Sequence, residues 1–88
     1  MKLKSDFLLH SIGSEHVVVP INERTAEFHG MIRLNKTGAF LWEQMRGEFT
    51  VESLADALTA KYDISPQDAL RSATEFADKL INAQIIEE

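Results

Sequence analysis

The side chains able to do chemistry are few, and their spacing limits them further. The histidines are His10, His16 and His29. His10 and His16 fall on two adjacent strand-like runs, where a plain two-residue turn places them on opposite faces. There is no cysteine, which excludes disulfides, thiolate metal sites and thiol nucleophiles. A metal would need carboxylates such as Glu15 or Glu27 to complete its ligands. Ser11, Ser14 and His16 are close in the chain, but a serine–histidine pair needs an orienting acid and a water-excluding pocket, and neither is evident. The four glycines are scattered, so there is no phosphate-cradling loop. The acidic pairs Asp6/Glu15 and Glu87/Glu88 read as solvated charges. These residues predict no catalysis, no cofactor and no bound metal.

Length and charge narrow the choice of partner. Eighty-eight residues make one domain, residues 1–88, with one modest core. A hydrophobic share of 44% beside 26% charged residues is a globular composition. Lys2 and Lys4 are not followed by a long apolar stretch, so no secretory signal is expected. No apolar run is long enough for a membrane span, and a soluble, cytoplasmic protein without a membrane partner is expected. The net charge is −5. Residues 1–34 are balanced, with four basic and four acidic side chains, whereas residues 35–88 carry five basic and ten acidic ones. Nucleic-acid binders neutralise phosphates with Lys and Arg, so the acidic half argues against such a partner.

The elements that must position these side chains follow from periodicity and punctuation. Residues 7–12 and 16–21 read as strands joined through Gly13-Ser14-Glu15, a β-hairpin. Val17, Val18 and Val19 are β-branched and suit a pleated surface. Pro20 cannot donate to a ladder and belongs at a strand end or edge. Residues 22–29 are polar and read as a loop before a third strand, residues 31–34. There Ile32 and Leu34, the more uniformly apolar pair, are expected to face the helices, and Met31 and Arg33 to face outward.

Three helices follow. Asn35 is an N-cap for a first helix over about residues 36–46, with Gly47 as its C′ residue. Gly38 weakens the first turn by about 1 kcal/mol relative to Ala, which is consistent with close packing of that turn against the sheet. Thr50 caps a second helix running to about Tyr62, with Val51, Leu54, Ala55, Leu58 and Tyr62 as its apolar stripe. Ser65, Pro66 and Asp68 open a third helix with a variant capping box. Its stripe is Ala69, Ala73, Phe76, Ala77 and Leu80, flanked by Leu70 and Ile81, and it ends near Asn82. Trp42 and Phe76 are expected in the core. Phe40 lies off its helix stripe and either packs on a neighbouring element or borders a groove. Ile85-Ile86 reads as a terminal strand or extended tail.

Three strands followed by three helices make an α+β domain, winged-helix-like, with a three-stranded antiparallel sheet. In a helix-turn-helix the third helix would enter the DNA groove. Its polar positions hold three acids (Asp68, Glu75, Asp78) against two bases (Arg71, Lys79), which repels phosphate. A small winged-helix transcription regulator is therefore the alternative reading, with an assembly module of a larger complex behind it. A small sheet also has open edges, and an extended peptide can add to one of them.

The phrase from Leu34-Asn35 through Trp42, the Thr50-Val51-Glu52 opening and Tyr62-Asp63-Ile64 resemble the PqqD-like family of precursor peptide recognition elements, over about residues 5–87. The resemblance implies the same winged-helix-like fold. It also implies a non-catalytic function: capture of the leader of a ribosomally made precursor peptide by β-strand addition. The peptide would then be presented to a modifying enzyme, commonly a radical S-adenosylmethionine maturase. In this family the leader adds to the third strand, here Met31, Ile32, Arg33 and Leu34. It lies in a cleft against the third helix, with contacts drawn from Arg71, Ser72, Glu75, Asp78 and Lys79. Leu34-Asn35 and Thr37-Gly38-Ala39 match the family phrase and read as the strand-to-helix corner. The chain departs from the family's usual Gly-Leu-Ile ending, carrying Ala83-Gln84-Ile85-Ile86 instead.

Overall fold

The structure, a computed structural model, describes residues 1–4, 7–21 and 32–87. Its elements are β1 (Lys2–Leu3), β2 (Phe7–Ile12), β3 (Glu15–Pro20), β4 (Ile32–Leu34), α1 (Lys36–Glu43), α2 (Val51–Lys61), α3 (Pro66–Asn82) and β5 (Ile86–Glu87). The order is α+β, and β2, β3 and β4 form the expected three-stranded antiparallel sheet.

The hairpin is set by its turn. Ile12 pairs with Glu15 across Gly13 and Ser14, and Gly13 has φ +61°, the left-handed geometry that a two-residue hairpin demands of its first central residue. Glu15 therefore belongs to the strand rather than the turn. Pro20 closes β3 opposite Phe7, where its missing N–H costs nothing inside the ladder. His16 pairs with Leu34 and Val18 with Ile32. Phe7, Leu9, Ser11, His16, Val18, Ile32 and Leu34 consequently share the sheet face turned to the helices, while His10, Val17 and Arg33 share the other. The two strand histidines do point to opposite faces. The loop at residues 22–29 and Met31 lie outside the described residues.

The helix starts follow their caps. The Asn35 side chain accepts from the Gly38 N–H at 2.8 Å. Thr50 and Ser53 form a reciprocal capping box, with bonds of 3.0 and 2.9 Å. The Ser65 hydroxyl accepts from the Asp68 N–H at 3.1 Å. The box expected there is only half made, because the Asp68 carboxylate takes Arg71 at 2.9 Å instead. The first helix is also shorter than expected. It stops at Glu43, where Gln44 donates to Leu41 and Met45 to Trp42. These i→i−3 bonds tighten the last turn, and Met45 is fully buried beyond it. Gly47 still serves as a left-handed turn residue at φ +76°, four positions past the helix end.

Leu41, Met45, Leu54, Leu58, Leu80, Ile85 and Val18 are the largest fully buried side chains, so the core lies between the sheet and all three helices. Phe76 is the exception to the expected stripe. The alanines beside it, Ala69, Ala73 and Ala77, are buried, but Phe76 is only half-buried. The small side chains let α3 approach α2 closely and leave the ring to one side.

A second, two-stranded sheet was not expected. β1 and β5 pair antiparallel, with Lys2 opposite Glu87 and Leu3 opposite Ile86, and the Lys4 N–H donates to the Ile85 carbonyl at 2.8 Å. The turn into β5 contains no glycine. Gln84 sits at φ 62°, its N–H donating to Ile81 and that of Ile85 to Leu80, both at 2.9 Å. This pair of bonds is a Schellman motif, which normally places glycine at the left-handed position.

Candidate functional site

Among the described residues β4 pairs with β3 only, at the end of the order β2-β3-β4. It ends where Asn35 turns the chain into α1, immediately after Leu34. Leu34 is buried, Ile32 half-buried and Arg33 exposed, so the alternation read from the sequence holds. Arg33 borders a shallow hollow at the hairpin end with Ser14 and Glu15.

Beyond the end of β4 a groove of about 410 Å³ separates the start of α1 from α3. One wall is Asn35, Thr37, Gly38 and Leu41; the other is Ser72, Glu75, Phe76 and Lys79. The α3 positions are spaced i, i+3, i+4 and i+7, one face of a helix. Gly38 sets how close the walls come. A Cβ there would stand 3.3 Å from each of Asn35 Oδ1, Leu34 Cβ and Phe76 Cε1. The close packing expected of this glycine is therefore directed at α3 as well as at the strand corner.

Of the helix residues assigned by the resemblance, Ser72, Glu75 and Lys79 come together in this groove. Arg71 and Asp78 do not line it. Arg71 is turned along the helix to Asp68, and both Arg71 and Asp78 are exposed on the adjoining flank. Phe76, expected in the core, and Asn35 and Thr37, expected only at the strand-to-helix corner, also line the groove, together with Leu41. The i, i+3, i+4 phase shared by Ser72, Glu75 and Phe76 was the available signal. The groove thus offers an apolar floor from Phe76 and Leu41, amide and hydroxyl groups from Asn35, Thr37 and Ser72, and one charge of each sign.

The serine–histidine neighbourhood on the hairpin has one contact that the sequence reading passed over. Ser11 Oγ and His16 Nδ1 are 2.7 Å apart, because Ser11 and His16 are cross-strand partners. No carboxylate among the described residues is bonded to His16 to orient it, and Ser11 is exposed. Among the described residues no three His, Asp or Glu side chains converge as a metal site. No described helix is long and apolar enough to cross a membrane.

Among the described residues, then, β4 ends its sheet beside a groove walled by two helices, in an α+β domain of three-stranded antiparallel sheet and three helices. The family described as coenzyme PQQ synthesis protein D (PqqD) matches residues 15–86, and the chain belongs to it. No curated protein matches the chain. Among solved structures, "TbiB1 in Complex with the TbiA(beta) Leader Peptide" shares the fold, with a TM-score of 0.79 at 21% identity. The alignment covers 99% of this chain and 95% of that one.

Proposed function

We propose that residues 1–88 form one non-catalytic recognition domain that captures the leader of a ribosomally synthesised precursor peptide and presents it to a modifying enzyme. The observation that carries the reading is the position of β4, at the end of its sheet and directly before the groove between α1 and α3. A leader strand laid along β4 gains main-chain hydrogen bonds independent of its sequence. Its alternate side chains then reach the groove, which supplies specificity. Phe76 and Leu41 would seat an apolar residue, with Lys79 and Glu75 selecting its charged neighbours. Membership of the PqqD family supports this, as does a solved protein of the same fold that holds a leader peptide. The modifying enzyme is, on this reading, a radical S-adenosylmethionine maturase, and the setting is the cytoplasm.

The acid excess on α3 weighs against the winged-helix regulator. Calorimetry with leader peptides from short reading frames neighbouring the gene, and with duplex DNA, separates the two. The reading expects micromolar or tighter binding of one leader and negligible DNA binding at physiological salt. Tight, salt-sensitive DNA binding with no leader bound would overturn it.

A further inference from the structure

A larger hollow lies on the other side of α1. It measures about 520 Å³ and sits between the hairpin and the helical layer, away from the β4 groove. Its floor is apolar, made by Leu9 from β2, Ala39 and Phe40 from α1, and Tyr62 at the end of α2. Phe40 and Tyr62 meet edge to face with ring centroids 5.8 Å apart.

The rim is charged and unevenly neutralised. Lys61 Nζ is held 4.8 Å from the centre of the Phe40 ring and 6.0 Å from that of Tyr62. Lys36 stands at the opposite end of the α1 face. Neither lysine has an ion-pair partner among the described residues. The one rim carboxylate, Glu43, is occupied by Arg46 at 2.9 Å. In a chain of net charge −5, this is a local surplus of cation over an apolar floor. His16 also lines the hollow, its Nδ1 2.7 Å from Ser11 Oγ.

We infer that this hollow is a second binding site, for an acidic side chain adjoining an aromatic or aliphatic one on the surface of a protein partner. The apolar residue would pack on Phe40, Tyr62 and Leu9, while its carboxylate neighbour takes charge-assisted hydrogen bonds from Lys36 or Lys61. The rim residues Ser11, Lys36, Glu43 and Lys61 are exposed, so the hollow is an open bowl. A bowl seats one or two anchoring side chains of a protein, whereas a small-molecule site encloses most of its ligand. The site shares no lining residue with the groove beside α3. A partner could dock here while β4 holds an extended peptide.

The probe is a capped dipeptide, acetyl-Glu-Phe-amide, titrated into the ¹⁵N-labelled protein beside its acetyl-Gln-Phe and acetyl-Lys-Phe counterparts. Saturable amide shifts are expected at Ser11, His16, Phe40 and Tyr62, with Ile32, Arg33 and Leu34 unmoved. The Gln probe should bind about fivefold more weakly and the Lys probe weaker still. Lys36→Glu/Lys61→Glu should lower affinity for the Glu probe by about tenfold with an otherwise unchanged spectrum. Phe40→Ala should weaken all three probes alike. Shifts that never saturate, equal affinity for the Glu and Lys probes, or shifts confined to the α3 groove would each overturn the assignment. Because no leader is used, the result is independent of peptide capture at β4.

Discussion

Replacing Gln84 with glycine should stabilise the protein. Gln84 is exposed and sits at φ 62° in the turn between α3 and β5. A residue with a Cβ in that left-handed conformation is strained by about 1–2 kcal/mol, and glycine is not. Against this, glycine makes the unfolded chain more flexible, an opposing effect of about 0.4–1 kcal/mol. The backbone bonds of the turn, Gln84 N–H to Ile81 and Ile85 N–H to Leu80, survive the substitution. The difference leaves a net gain of about 0.5–1 kcal/mol. For a domain of this size that raises Tm by roughly 2–8 °C. Thermal unfolding followed by circular dichroism at 222 nm measures it. Gln84→Ala is the control, because it removes the same exposed side chain and keeps the Cβ. It should change stability by less than about 0.5 kcal/mol. A glycine variant no more stable than the alanine variant would refute the left-handed turn, and with it the route by which β5 returns to β1.

Leu54 is fully buried between sheet and helices. Leu54→Ala should cost about 2–5 kcal/mol, read as a lower urea midpoint, and a loss under 1 kcal/mol would contradict the placement of the core. Thr50→Ala removes the acceptor for the Ser53 N–H and should cost about 1 kcal/mol in the same assay. In the groove, Lys79→Glu should weaken an acidic leader about fivefold in calorimetry without lowering Tm. Arg71→Glu, on the flank outside the groove, should weaken it less. The reverse order would place the peptide on the other face of α3.

The helix starts were legible because each is a local event. Asn35, Thr50 and Ser65 each accept from an N–H three residues on, and a side chain of that type before an apolar stripe announces itself in sequence. The hairpin was legible for the same reason, through Gly13 and its flanking alternation. The end of α1 was not, since Gly47 signals a left-handed turn but not how many residues of tightened turn precede it. The β1–β5 sheet was hidden because two-residue strands carry no periodicity, and their pairing joins distant parts of the chain. Of the helix residues that the resemblance implies, Ser72, Glu75 and Lys79 line the groove, and Arg71 and Asp78 do not. Arg71 lies one position from Ser72 and Asp78 one from Lys79, and a single step around a helix moves a side chain off the wall. Phe76 was read as core because aromatics at stripe spacing usually are. What leaves it half-buried is tertiary: Ala69, Ala73, Ala77 and Leu80 take the fully buried positions of the helix, and Gly38 leaves room for the ring beside α1.

The central claim is that a leader peptide becomes a strand beside β4. Intermolecular nuclear Overhauser effects between ¹⁵N,¹³C-labelled protein and unlabelled leader test it directly. The account predicts backbone cross-peaks from Ile32, Arg33 and Leu34 to successive leader residues in the pattern of a β-ladder. Side-chain cross-peaks should join Phe76 and Leu41 to an apolar leader residue. A saturated complex whose cross-peaks all arise from another surface, with the β4 amides unmoved, would contradict it.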